Sequence, residues 1–177
     1  MTIRHKRKYL LINDWEPLSN LMSNDRWFTR SEIFQVFINR RLRLDKVTTG
    51  GETTYFHTTK HDIPKKGQVV KIQLPISQTE FDLLRKKDGG HDLKKIRYST
   101  EINEVTWTVD FLRDSDDTTF LAFAEAELAG DRDPSLITVP NWLTPFIDHE
   151  IPPNKLRTYA NSLLASPKQA ERVLKKL

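Results

Sequence analysis

The sequence lacks cysteine and has no long apolar run. Without cysteine there can be no disulfide, no thiolate metal site and no cysteine nucleophile. No segment approaches the roughly 20 apolar residues that a membrane-spanning helix requires, and the basic N-terminus lacks the apolar stretch of a secretory signal. We therefore expect a cytoplasmic protein, of a cell or of a virus in its host's cytoplasm, that has no membrane partner.

The composition is that of one domain. The 177 residues are enough to bury a hydrophobic core, and 37% hydrophobic with 29% charged residues is typical of a globular protein. We find no repeat, no low-complexity segment and no domain boundary, so residues 1–177 are predicted to form a single domain. The 28 basic and 24 acidic residues give a net charge of +4, which is too small to indicate duplex nucleic acid as a partner.

Short β-prone segments separated by turns predict a fold rich in strands. Residues 48–51, Thr-Thr-Gly-Gly, predict the turn of a hairpin, whereas residues 12–31 are predicted to be irregular. The predicted strands cover residues 3–11, 32–38, 40–46, 53–60, 68–75, 93–101, 104–113 and 118–128.

Helices are predicted after the fifth strand and at the C-terminus. Ser77 and Glu80 match a capping box, so a helix is expected to begin there and to end near residues 89–90. The spacing of apolar residues over 156–164 predicts another helix. Residues 166–167, Ser-Pro, open the last one with proline at its first position.

Five short motifs follow one another in an order found in one known family. Residues 4–11 read R-H-K-R-K-Y-L-L, residues 107–111 read W-T-V-D-F, and residues 123–128 read F-A-E-A-E-L. Residues 140–143, P-N-W-L, and residues 159–165, Y-A-N-S-L-L-A, complete the set. Each motif alone is weak, but in this order they are hard to explain by chance. The chain resembles the CYTH family, also called triphosphate tunnel metalloenzymes.

The resemblance implies an α+β fold: a closed antiparallel eight-stranded β-barrel with flanking helices and C-terminal helices, whose tunnel binds phosphates. Alternate side chains of a strand share one face, so Arg41 and Arg43 are expected to face the tunnel together, as are Lys95 and Arg97. The phosphate-binding residues that the resemblance implies, with the basic residues added on the same strands, are Arg4, Lys6, Lys8, Arg41, Arg43, Lys60, Lys71, Lys95, Arg97 and Arg157.

The chain departs from the family at its acidic positions. The family's first strand reads E-x-E-x-K, and its two glutamates help to hold divalent metal. This chain has Arg4 and Lys6 at those positions and keeps only the lysine, Lys8. The acidic residues that remain as candidate ligands of Mg²⁺ or Mn²⁺ are Asp110, Glu125 and Glu127.

These differences predict a binding protein rather than an enzyme. Crowded positive charges are costly unless an anion neutralises them, so the tunnel is expected to hold a nucleotide, a cyclic nucleotide or a polyphosphate without a required cofactor. Phe56, His57, Tyr9 and Tyr98 are candidates for stacking on a nucleotide base. Such a sponge or sensor would suit a virus that sequesters a host nucleotide signal.

Three other functions agree with the same residues. The first is a metal-dependent triphosphatase, cyclase or cyclic-nucleotide hydrolase that keeps one metal on the remaining carboxylates. The second is a fold kept for protein–protein binding. The third is a basic tunnel through which single-stranded nucleic acid passes.

Overall fold

A computed structural model of the protein describes residues 4–39, 41–63, 68–88, 90–129, 135, 137–156 and 159–175. The strands are β1 (Arg4–Leu11), β2 (Thr29–Phe37), β3 (Leu42–Thr49), β4 (Glu52–Ile63), β5 (Gln68–Ile76), β6 (His91–Ile102), β7 (Val105–Arg113), β8 (Thr119–Ala129) and β9 (Ile147–Ile151). The α-helices are α1 (Glu16–Asn24), α2 (Gln78–Asp88) and α3 (Pro167–Leu174). None of the helices within these ranges has the length and apolar character needed to cross a lipid bilayer.

All nine strands form one antiparallel sheet in the order β5-β4-β3-β2-β6-β7-β8-β1-β9. The α+β class is confirmed, but the predicted eight-stranded closed barrel is not what the described residues form. A strand has two edges, and β1 uses one to pair with β8 and the other to pair with β9. Because β9 occupies the edge with which β1 would close a barrel onto β5, the sheet remains open between β5 and β9.

The local signals for two helices are confirmed. At the start of α2 the Ser77 N–H donates to Glu80 Oε2 (2.7 Å), and the Glu80 N–H donates to Ser77 Oγ (3.2 Å), which is the predicted capping box. At the start of α3 the Gln169 N–H donates to Ser166 Oγ (3.3 Å), with Pro167 in the first turn.

Two other segments differ from the prediction. Residues 12–31 contain α1, which has Pro17 in its first turn and buries Leu18 and Met22 against the sheet, so the segment is not wholly irregular. The described residues of the range 156–164 do not form the predicted helix. The described part contains a single 3-10 turn, Asn161–Leu163, closed by a hydrogen bond from the Leu163 N–H to the Ala160 carbonyl (2.8 Å).

The convex face of the sheet carries two hydrophobic cores. Trp107 is the largest fully buried side chain of the first, which packs the outer faces of β1, β6, β7 and β8 against α1 and residues 137–147. Phe81 of α2 belongs to the second, against Val36 and Leu44. These cores fix which side chains of each strand point outward, and the alternate residues therefore face inward.

The concave face has an apolar end and a polar remainder. At the apolar end Leu93, Leu112 and Phe123 pack with Tyr159 and Leu164. These two residues belong to residues 159–175, which we call the C-terminal segment. The C-terminal segment thus covers one end of the concave face and leaves the rest to polar side chains.

The sheet is strongly curved across its strands. Lys6 of β1 and Lys60 of β4 are six strand spacings apart, which would be about 29 Å in a flat sheet with strands about 4.8 Å apart. Burial, and then the nearby charges of Arg43 and Lys6, nevertheless lower the pKa of Lys60 to about 8. An effect of Lys6 on Lys60 is what a curved sheet gives, with β1 and β4 facing each other across the concave face.

Candidate anion-binding site

Eleven of the described charged side chains lie along the middle of the concave face, and we call them the polar band; Glu52 and Glu101 lie on the same face farther along β4 and β6. The strand registers and the alternation of side chains place all of them on this face. Seven are basic and four are acidic, so the band carries an excess of three positive charges when every group is ionised. The polar band consists of Lys6, Lys8, Arg43, Asp45, Lys60, Lys71, Lys95, Arg97, Asp110, Glu125 and Glu127.

On the β1–β8 side of the band the charges are balanced. Lys6 Nζ lies 2.5 Å from Glu127 Oε1 and 3.4 Å from Glu125 Oε2, and Lys8 Nζ lies 3.0 Å from Glu125 Oε1. Burial acts against both charged forms, but the carboxylates raise the pKa of Lys6. Lys8 and Lys6 in turn hold the pKa of Glu125 well below its usual range. Two lysines and two glutamates therefore neutralise one another here.

A charged triad lies on β6 and β7, in which Lys95 and Asp110 are buried and Arg97 is partly exposed. Asp110 accepts a hydrogen bond from Lys95 Nζ (2.7 Å) and a bidentate pair from Arg97 (2.6 and 2.7 Å). Burial and the neighbouring Arg97 lower the pKa of Lys95 to about 8, despite the opposing effect of Asp110. The two cations outweigh the effect of burial on Asp110 and lower the pKa of its carboxyl far below the ordinary value. The triad retains one net positive charge when all three groups are ionised.

A second buried carboxylate, Asp45 on β3, organises a cluster that the sequence did not reveal. Asp45 accepts hydrogen bonds from Gln35 Nε2 and from Thr58 Oγ1, each at 2.7 Å, and its Oδ1 lies 2.7 Å from Arg43 Nε. These contacts join β2, β3 and β4 across the sheet. An acid next to R-x-R was the only sequence signal for it, because the partners come from neighbouring strands.

On the β4–β5 side two lysines face each other. Lys60 is directly opposite Lys71 in the ladder, and both side chains are exposed to solvent on the concave face. Although both side chains keep exposed surface, partial desolvation by the surrounding side chains and the positive charge of Arg43 lower the pKa of Lys71, as they do that of Lys60. Within the described residues neither lysine has a carboxylate partner at ion-pair distance. Like charges directly opposite one another are destabilising unless a counter-ion lies between them.

The remaining predicted phosphate-binding residues have different surroundings. Lys8 is 5% exposed, donates from Nζ to the Tyr159 carbonyl (2.9 Å), and lies 4.3 Å from the centre of the Phe123 ring, so it links the band to the C-terminal segment. Arg41 is exposed in the bend before β3, where its carbonyl accepts from the Lys60 N–H (2.8 Å). The side chain of Arg4, in β1, and the whole of Arg157 lie outside the described residues.

The aromatic candidates for base stacking do not lie together. Tyr9 stacks on Trp107 and Tyr98 packs edge-on against Phe111 in the first core of the convex face, so neither can reach a ligand in the band. His57 is directly opposite Leu44, which also points to the convex side. That leaves Phe56, whose alternation with His57 places it on the concave face.

A cleft of about 430 Å³ lies on the convex side at the start of α1. Its lining includes the acids Asp14 and Glu16 as well as the bases Arg30 and Arg113. Because acids and bases balance there, this cleft offers an anion no excess of positive charge. The polar band is the better candidate.

Comparison with known proteins supports this view of the fold. No protein-family model matches the chain, and no curated protein sequence matches it. The solved structure of the inorganic triphosphatase NE1496 matches with a TM-score of 0.55 at 20% identity, over 93% of this chain and 95% of that one. A second structure of NE1496, described as a hypothetical protein, gives 0.54 at 20% identity over 92% and 97%. The chain shares the fold of NE1496. The resemblance drawn from the motifs is thereby confirmed for the architecture.

The resemblance to the CYTH family implies a divalent metal, and the carboxylates of the band do not fit one in this arrangement. Asp110 is held by Lys95 and Arg97, and Glu125 and Glu127 are held by lysines of β1. Across the described ranges, no three His, Cys, Asp or Glu side chains come together in a group that could hold a metal ion. A cation such as Mg²⁺ would have to displace these ion pairs, because it needs several oxygen ligands.

Proposed function

We propose that this protein binds a phosphorylated nucleotide or a related polyphosphate in the polar band and holds it without efficient metal-dependent hydrolysis. The observation that carries this proposal is the facing pair of Lys60 and Lys71, which have no carboxylate partner among the described residues. An anion bound between them would offset their mutual repulsion and favour the charged form of both. NE1496, which shares the fold, is an inorganic triphosphatase.

We propose that hydrolysis is inefficient because the acidic residues of the band form ion pairs with basic residues. Phosphoryl transfer requires stabilisation of the charge that spreads over the transferring group, which divalent metal commonly supplies. In this chain Asp110, Glu125 and Glu127 neutralise lysine and arginine side chains instead. These acids are engaged in ion pairs and are not available to coordinate a metal. The excess positive charge of the band is available to bind an anion.

A protein of this kind would sequester or sense its ligand in the cytoplasm. Removal of a signalling nucleotide, as by a virus in its host, is the role that we propose for such binding. The ligand would be released intact, which distinguishes the role from that of an enzyme.

The test is to incubate pure protein with nucleoside triphosphates, cyclic nucleotides and tripolyphosphate, each with and without Mg²⁺ or Mn²⁺. Bound ligand is then separated from free ligand, released by denaturing the protein, and weighed by mass spectrometry. We expect intact ligand in both conditions. Metal-dependent products would contradict the proposal, and affinity that grows with oligonucleotide length would favour single-stranded nucleic acid instead.

A specific observation also favours hydrolysis as the second candidate, because Glu125 and Glu127 are retained on a strand of the same fold as a triphosphatase. If a metal displaces Lys6 from these carboxylates, Mg²⁺ or Mn²⁺ should stimulate turnover, and Glu125→Gln should abolish it while leaving ligand affinity within about threefold. Equal, metal-independent product formation by the wild type and Glu125→Gln would exclude this role.

A further inference from the structure

Three successive pairs of residues on β4 and β5 form a graded surface on the concave face. Lys60 is opposite Lys71, Thr58 is opposite Gln73, and Phe56 is opposite Pro75. Alternation puts all six side chains on the same face of the two strands. Thr58 is buried and donates to Asp45, so the accessible surface changes from the two lysines, through Gln73, to Phe56 and Pro75 in steps of two residues.

The apolar pair is accessible and is not part of a core. Phe56 is half-buried, and it belongs to none of the three hydrophobic cores formed by the described residues. Pro75 is exposed beside it. A partly exposed aromatic ring next to an exposed proline presents a flat apolar surface to a ligand.

The strand register shows at which end of the concave face the apolar pair lies. Phe37, which packs into the apolar end of the concave face, shares a cross-strand row with Arg43 and Thr58. Phe56 lies one row farther from that end, in register with Asp45. The apolar pair is therefore on the side away from the C-terminal segment, where a bulky group can project from the band.

The distance along the strands fits a molecule with separate phosphate and ring ends. Lys60 and Phe56 are four residues apart, or about 13 Å along β4 at about 3.3 Å per residue. A compact inorganic anion would contact the lysine pair and leave the apolar pair unused. A nucleotide has a phosphate group for the lysines, a hydroxyl-bearing sugar for Gln73, and a flat base.

We propose that β4 and β5 form a nucleotide-selective subsite, in which Lys60 and Lys71 hold the phosphate and Phe56 and Pro75 contact the face of the base. This inference rests on the proposed function, because it assigns a ligand class to the same polar band. It adds that the protein prefers a nucleotide to an inorganic polyphosphate. Stacking on an aromatic ring tolerates any base, so the subsite selects for the presence of a base rather than for its identity.

The experiment measures the affinities of ATP and of tripolyphosphate, without metal, for the wild type, Phe56→Ala and Leu74→Ala. Leu74 is the matched control because it is an exposed apolar residue next to Pro75 on the opposite face. We expect Phe56→Ala to weaken ATP binding about tenfold, the usual effect of losing one base stack, with tripolyphosphate affinity unchanged. Leu74→Ala should leave both affinities unchanged.

Two outcomes would overturn the inference: equal losses for ATP and tripolyphosphate, or no loss for either. If the wild type binds neither probe, the proposed function itself fails, which is a distinguishable result. Phe56→Trp provides a second measurement that retains a ring. Its added fluorescence, relative to the wild type, should be quenched by ATP and not by tripolyphosphate, and quenching by neither would contradict stacking at this position.

Discussion

The β1–β8 and β4–β5 sides of the polar band contain the same basic residue types, but their charge balance differs. On the first side, Lys6 and Lys8 face Glu125 and Glu127 at ion-pair distances. On the second side, Lys60 faces another lysine. The positive charges of the first side are neutralised within the protein, whereas those of the second side require a bound anion for neutralisation.

Within the polar band, the paired charges therefore contribute to stability and the unpaired bases of the β4–β5 side contribute to binding. Where acids and bases alternate across the ladder, each charge lowers the cost of burying the other. Where bases face bases, the folded protein carries repulsion that only a bound anion relieves. We therefore expect substitutions among the paired charges to change the free energy of unfolding, and substitutions on the β4–β5 side to change affinity.

The largest effect is expected from Asp110→Asn, which leaves the buried Lys95 and the partly buried Arg97 without this counter-ion. Removing one member of a buried ion pair costs about 3–5 kcal/mol. Urea denaturation measures the loss. The matched control is Asp117→Asn, whose carboxylate lies 3.3 Å from Lys94 Nζ at the surface, and whose loss should cost about 1 kcal/mol or less. Equal losses in the two variants would show that the triad is not structurally important.

The next effect is a loss of ligand affinity in Lys60→Glu. The new carboxylate would face Lys71 and neutralise it, which removes the excess charge of this side. We expect affinity for a nucleoside triphosphate to fall about 100-fold, which corresponds to about 2.7 kcal/mol. The urea midpoint should not fall, and Lys86→Glu on the exposed side of α2 should change neither quantity. Unchanged affinity in Lys60→Glu would contradict the binding site.

The smallest effect is a dependence of binding on pH. Because burial and neighbouring cations lower the pKa of Lys60 to about 8, this side loses charge as pH rises above about 8. Affinity for the same nucleotide should then decrease by up to about tenfold per pH unit from 8 to 9.5. Lys60→Arg should reduce the dependence, since arginine stays protonated in this range. An unchanged slope in Lys60→Arg would show that Lys60 does not titrate on binding.

Deprotonation of Lys60 affects the free energy of unfolding in the opposite direction to its effect on ligand affinity. Lysine in the unfolded chain has a pKa of about 10.4, so between pH 8 and that value the unfolded state binds more protons than the folded one. Stability of the ligand-free protein should therefore rise with pH from 8 to 9.5, while affinity falls. Urea denaturation of the ligand-free protein at the same pH values would check the sign, because the midpoint should rise from pH 8 to 9.5.

The sequence predicted the elements whose signals are local. The capping box of Ser77 and Glu80 specified the start of α2 because its hydrogen bonds join residues three apart. Alternation predicted correctly that Lys95 and Arg97 share the inner face. By contrast, β9 reads Ile-Asp-His-Glu-Ile, which has three polar residues in succession and only becomes a strand by pairing with the free edge of β1.

The charge pairing of the site could not be predicted in the same way. Which carboxylate neutralises which base depends on cross-strand register, and that is decided by contacts between residues far apart in sequence. Asp45 gave no sign that it would bind Gln35 and Thr58. Phe56, His57 and Tyr9 looked equivalent as aromatic candidates, and only the assignment of faces distinguishes them.

The position of β1 between β8 and β9 has a consequence for the order of folding. Lys8 pairs with residue 125 on one side and residue 151 on the other, so the first strand of the sheet can be incorporated only after most of the chain is present. Such long sequence separations slow folding, because loop-closure entropy is lost before the contacts form. During synthesis the basic first strand must remain unpaired while the β2–β7 strands form their hairpins. The ion pairs on the β1–β8 side of the polar band therefore form late in folding. We expect the docking of β1 to limit the rate of refolding.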